Sequence, residues 1–320
     1  LYCNPDDVLV QNVERSRKII TDSHIKKLSI PIGPMALAGS TRLQACTVLM
    51  FAVGMSLFPN SSFDDTLQGF ITYYQNLNLD FMQPLVEFES DIYKNNQSIC
   101  YSVTPITALP CLTDIAERHP TFHMPALPHL DEKDTSTPSP CTLNLTSSKN
   151  SLDAWKAFLH RNPRTVEWDE YQEKISFKKL LGYDFSQPSS STHTLQISTQ
   201  TDKISLKWQT QQYVIQTPLS PLLQQILLKI LLNMLSTLVM GRIGRYQSNL
   251  MLWVKPTNGK LVDRAVRFIH HLWNEEDLPD ISDKTVVLNL FEAFEETQAN
   301  ESVILKTIAR LKNKMGIAVP

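Results

Sequence analysis

Residues 221–269 read PLLQQILLKILLNMLSTLVMGRIGRYQSNLMLWVKPTNGKLVDRAVRFI, and their first part sets the architecture. Positions 226–240 are too apolar for a surface helix, whose circumference should be about half polar. The polar residues Gln225, Lys229, Asn233 and Ser236/Thr237 recur at steps of four or three and fall on one stripe. A helix of this kind is buried on most sides and turns its stripe toward a cleft, a ligand or a neighbouring loop. A membrane span is excluded on two grounds: the apolar run is short of the roughly 20 residues needed, and Lys229 lies inside it.

The chain has 320 residues, 42% of them hydrophobic, enough for a core and two domains or more. A formal net charge of −2 gives no electrostatic footprint for nucleic acid or an anionic membrane. Five cysteines (Cys3, Cys46, Cys100, Cys111, Cys141) with no CxxC spacing suit reduced thiols in the cytoplasm. The N-x-S/T matches at Asn60, Asn96, Asn144 and Asn300 read as chance in a Ser/Asn-rich chain. No secretory leader is read at the start, and no cofactor motif is found.

In chain order, LYCNPDD ends a strand, residues 8–26 form a helix and 27–32 a short strand. The next stretch, GPMALAGSTRLQACTVLMFAVGMSLF, is a glycine-punctuated loop feeding an apolar helix at about 41–57, with Ser40 or Thr41 as N-cap. A loop entering a helix N-terminus offers unpaired N–H groups and the positive end of the dipole, which suits phosphate. Arg42, misplaced for that dipole, is either solvated or paired with an anion. The pattern alone favours a plain capped helix over a phosphate site.

Helices are expected within 59–75 and 78–95, a strand at 99–103, and two or three strands over 195–217 from the period-2 pattern. Pro120, Pro125, Pro128, Pro138 and Pro140 predict an irregular excursion over 119–150. His119, His123 and His129 then read as solvated loop histidines, not metal ligands, and residues 186–194 as a low-complexity loop. A short helix at 151–161, polar helix and turn at 165–182, and two C-terminal helices at about 284–297 and 301–314 complete the plan.

Three stretches carry a resemblance. LLNMLST, MGRIGRYQSNLM and KPTNGKLVDRAVR resemble the C-terminal part of bacterial N-acetylmuramic acid 6-phosphate etherases and the lid of glucokinase regulatory protein, both in the SIS (sugar isomerase) superfamily. GPMALAGSTRLQA resembles their G-P-x-x-x-x-G-S-[ST]-R-[ML]-x loop, met by Gly33, Pro34, Gly39, Ser40, Thr41 and Arg42. Gln44 stands where those families commonly carry Lys. LTDIAERHPTF resembles a shorter stretch of the second SIS domain of regulator-like bacterial proteins.

The resemblance implies an α/β fold of SIS-type doubly wound parallel sheets, the first incomplete, with a C-terminal helical lid. Its parts would be 1–75, the tail of a first SIS domain; 76–220, a second, divergent SIS domain; and 221–320, the lid. It implies a phosphosugar ligand contacted by Gly39, Ser40, Thr41, Arg42, Lys229 and Asn233. In the regulator-like form it also implies a sugar-kinase-like protein partner. An etherase or sugar-phosphate isomerase, and an interaction module with a dead sugar site, are the alternatives. The etherase's glutamates and the Ser/Thr-rich phosphate loop would lie upstream of Leu1. Glu117 and Asp263 read as partners in a loop salt bridge and a helix-surface pair.

Overall fold

The computed structural model describes residues 1–58, 62–130, 139–166, 168–171, 176–187, 191–298 and 301–318. Asn60, Asn300 and Pro138 lie outside the described residues, as do most of 131–140 and part of 186–194.

The centre of the α/β fold is β1 (Ile99–Val103), an apolar run buried on both faces except at Ser102, as an interior parallel strand must be. It pairs in parallel with β2 (Cys141–Leu145) on one side and β3 (His193–Gln200) on the other. From β3 the chain turns twice, through β4 (Lys203–Trp208) and β5 (Gln211–Gln216), both antiparallel to their neighbours. The sheet order is therefore β2-β1-β3-β4-β5. The expected wholly parallel sheet is corrected to a mixed one. The connections at 201–202 and 209–210 have two residues each, and a two-residue link can only join antiparallel strands.

The chain begins with the helices α1 (Asp6–Asn12), α2 (Glu14–Thr21), α3 (Ala45–Leu57) and α4 (Phe63–Gln75). The single helix expected over 8–26 is broken at Val13, which is extended. The strand expected at 27–32 reduces to one parallel bridge between Tyr2 and Ser29. α5 (Met82–Lys94) leads into β1, and α6 (Pro105–Phe122) returns across β1, β2 and β3. α6 corrects the expectation of irregular chain from residue 119. Pro105 starts it at a position where a missing N–H costs nothing, Pro110 and Pro120 are accommodated inside it, and it ends at His123 in the left-handed region. α7 (Ser151–Leu159) and α8 (Phe177–Leu181) are short.

The stretch that opened the reading is α9 (Pro221–Arg242), packed against α6, α5 and α3. At 22 residues, it is long and apolar enough to cross a membrane by those measures alone, so shortness does not set it apart. Burial does: 72% of its most apolar window is covered by the rest of the chain. Gly54 permits the α3–α9 approach, since a Cβ there would stand 2.8 Å from Leu222 Cδ2. A hairpin, β6 (Tyr246–Gln247) and β7 (Leu250–Met251), follows. The chain closes with α10 (Gly259–Glu275), α11 (Asp283–Glu296) and α12 (Val303–Lys314), which pack on one another around Trp273.

A candidate anion-binding cleft over a buried charge network

The polar stripe of α9 faces protein. Asp114, on α6, accepts from Asn233 Nδ2 at 2.8 Å and from Ser236 Oγ at 2.7 Å through the same Oδ1. Arg42 Nη2 donates to that oxygen as well, and to Ser236 Oγ at 2.7 Å. The other oxygen, Oδ2, takes Arg118 Nε and Nη2 at 3.1 and 2.8 Å. Arg118 continues to Glu89 Oε1 at 2.5 Å and to the hydroxyls of Tyr93 and Tyr101. The two arginines are matched by two carboxylates in a network sealed from solvent. Burial alone would raise the Asp114 carboxyl. Arg118 and Arg42, with the Ser236 and Asn233 bonds, outweigh it and hold the carboxyl below its ordinary value. Burial pushes the Tyr93 and Tyr101 hydroxyls well up.

Above this network lies the loop at 33–44. It does not form the expected cap. The helix starts a turn late, with Gln44 at the cap position, and neither Ser40 nor Thr41 caps it. Gln44 instead pins the loop, donating to Pro34 O at 3.0 Å and accepting from Ala36 N at 2.5 Å. The loop therefore curls before the helix can begin. Lys229 lies beneath it, only 5% exposed, so it does not snorkel to water. Its Nζ donates to the carbonyls of Arg42 and Leu43 and to Thr47 Oγ1 at 2.7 Å. Burial lowers its pKa to about 8.

Gly39, Ser40, Thr41 and Arg42 line a cleft of about 530 Å³ whose other wall comes from 251–264. Lys229 and Asn233, expected to reach a ligand, do not line it; they hold the loop and Asp114 from behind. The sequence reading missed Lys255, Lys260 and Arg264 on the far wall; Lys260 and Arg264 stand in the first two turns of α10, and Lys255 in the loop before it. The histidines are also placed differently from expectation. His119 is in the last turn of α6, with Nδ1 2.6 Å from Met124 O, and lines the cleft with His123. His129 is buried, with Nε2 2.8 Å from Lys179 O. Burial, aided by Lys255, lowers His123 to about 4, so it is neutral at pH 7. Glu117 is on a helix, not a loop, with Oε2 3.5 Å from Arg42 Nε; burial raises its carboxyl. Asp263 pairs with Arg267 on the surface of α10. Among the described residues, no group of three His, Cys, Asp or Glu could hold a metal.

The two walls meet where Arg264 Nη2 donates to Gly39 O at 3.2 Å. Gly39 has φ +78°, and a Cβ there would stand 2.5 Å from the Arg264 guanidinium. Gly39→Ala is therefore expected to cost about 1–2 kcal/mol from the left-handed backbone. It should also displace Arg264, and a thermal unfolding curve with a crystal structure of the variant checks both effects.

No family model matches this chain. Local matches do occur. The chain is 46% identical over 54 residues to an N-acetylmuramic acid 6-phosphate etherase of Staphylococcus saprophyticus, covering 17% of this chain and 16% of that protein. It is 50% identical over 44 residues to an N-acetylmuramic acid 6-phosphate etherase of Staphylococcus aureus strain USA300, covering 14% of this chain and 15% of that protein. The chain thus spans about a sixth of the length of these curated relatives.

Proposed function

We propose that this chain is a SIS-superfamily protein that binds a phosphorylated sugar derivative in the cleft between loop 39–42 and the start of α10. One observation carries the reading. Two of the stretches that resemble the superfamily lie about 200 residues apart, yet they form opposite walls of one cleft and are joined by the Arg264–Gly39 bond. The names of the partial relatives supply the ligand class, a 6-phosphosugar. In this reading Gly39, Ser40, Thr41 and Arg42 face the ligand, while Lys229 and Asn233 fix the loop and the carboxylate under it. Segments 1–75, 76–220 and 221–320 are the proposed units of the fold. The regulator-like form, with a sugar-kinase-like partner in the cytoplasm, is the finer version of the same proposal.

Etherase chemistry is the second reading, favoured by Glu117. It is a carboxylate on the cleft wall whose raised pKa suits a general acid. One experiment decides. The chain is titrated with N-acetylmuramic acid 6-phosphate in a calorimeter, and the mixture is then assayed for lactate. Saturable heat without lactate is the expected result. Lactate that disappears in Glu117→Gln establishes the etherase reading, and no binding of this or any hexose 6-phosphate sinks both.

A further inference from the structure

We infer that the cleft holds a phosphate dianion on its α10 wall, between Lys255, Lys260, Arg264 and the uncommitted edge of Arg42. The sugar-phosphate reading above supplies the rest of the ligand, so the inference deepens that reading; the anion subsite itself stands on separate observations.

The first is Arg42. It is 2% exposed, yet its Nε and Nη1 make no hydrogen bond among the described residues. Only Nη2 is committed to Asp114 and Ser236. Glu117 Oε2 lies 3.5 Å from Nε, near enough to attract but too far to satisfy it. A buried guanidinium with two unpaired N–H groups, on a residue that lines the cleft, leaves a deficit that an oxyanion suits, because its geometry matches the fork.

The second is charge. Asp114 already neutralises Arg42. That leaves Lys255, Lys260 and Arg264 on the lining against one carboxylate, Glu117, and none of these three cations joins an ion pair among the described residues. The surplus of two matches a phosphomonoester.

The third is the backbone. α10 is 17 residues long, Asn258 caps it by accepting from Leu261 N at 3.1 Å, and Asn258, Lys260 and Leu261 place its N-terminal end on the cleft lining.

The experiment titrates the whole chain with inorganic phosphate, glucose 6-phosphate and glucose, in wild type, Lys255→Met/Lys260→Met and Arg264→Met. The two lysines are exposed, so the double variant should fold normally; circular dichroism checks this. Phosphate and glucose 6-phosphate are expected to bind wild type at millimolar concentration or better. Each should weaken about tenfold or more in the double variant, since two charged contacts are lost. Equal affinity of glucose 6-phosphate for wild type and both variants overturns the subsite while leaving the sugar-phosphate reading intact. Phosphate binding that the variants abolish, with no gain from the sugar, supports the subsite and defeats the sugar-phosphate reading. Wild type that binds neither anion overturns the subsite outright.

Discussion

Replacing Asp114 with alanine is expected to lower the free energy of unfolding by about 3–5 kcal/mol, the range for breaking a buried ion pair from one side. The size follows from what is left behind. Arg118 would keep Glu89, but Arg42 would lose its one buried counter-charge, and Ser236 Oγ and Asn233 Nδ2 would lose their shared acceptor. Repacking with water does not rescue this, because Asp114 has no exposed surface. The whole network need not be net stabilising for this to hold, since desolvation can offset the attraction between its charges. Urea unfolding of wild type and Asp114→Ala measures the loss, and a change under about 1 kcal/mol would show that Arg42 finds another partner.

The acid side of the same group has a definite sign. The folded pKa of Asp114 lies below its unfolded value, so its contribution is complete above about pH 4 and fades as pH falls through the folded value. In Asp114→Ala that part of the acid-induced loss should be missing.

What the sequence revealed, and what it hid, follows from how far apart the partners are. The stripe Lys229, Asn233 and Ser236 was legible because helical periodicity is local, and all three are buried in α9. Its partner was not. Asp114 is 119 residues from Asn233 and Arg42 is 194 from Ser236, separations that no spacing rule reaches. β1, β3, β4 and β5 were legible for the same local reason, apolar runs or alternation bounded by turns. The start of α3 was misplaced because Ser40 and Thr41 are good caps by type. The Gln44 side chain, eight to ten residues from its loop partners, holds the backbone in turns and moves the helix start to Ala45. Prolines misled likewise: Pro120 marks the last turn of a helix, not its exclusion. The cleft itself was half visible. Residues 39–42 were read as an anion loop on the strength of the resemblance, since the pattern alone favoured a plain capped helix. Lys255, Lys260 and Arg264 acquire meaning only when the fold brings α10 across the loop.

Lys229 should make stability depend on alkaline pH, with the sign opposite to that of the buried tyrosines and cysteines. Its pKa is about 8 in the fold and 10.5 in the unfolded reference, because burial disfavours the ammonium; nearby Cys46 and Glu117 offset part of this and Arg42 adds to it. Between those values the unfolded chain binds the extra proton, so stability gains from raising the pH. The interval corresponds to about 2–3 kcal/mol once partial solvent contact is allowed for. Raised tyrosines and cysteines work the other way, since their unfolded forms lose protons first. The test is therefore a difference: unfolding free energies of wild type and Lys229→Met at pH 7 and at pH 10.5. Wild type should gain on the variant by about 2–3 kcal/mol across that range, and a flat difference would mean that the ammonium is as well solvated as in the unfolded chain. A group held at this disadvantage at neutral pH requires a compensating contact. Its three acceptors, Arg42 O, Leu43 O and Thr47 Oγ1, all lie where the loop enters α3. Lys229 therefore costs stability in order to fix the position of Ser40–Arg42, and the variant should relax that loop even where it unfolds later than wild type.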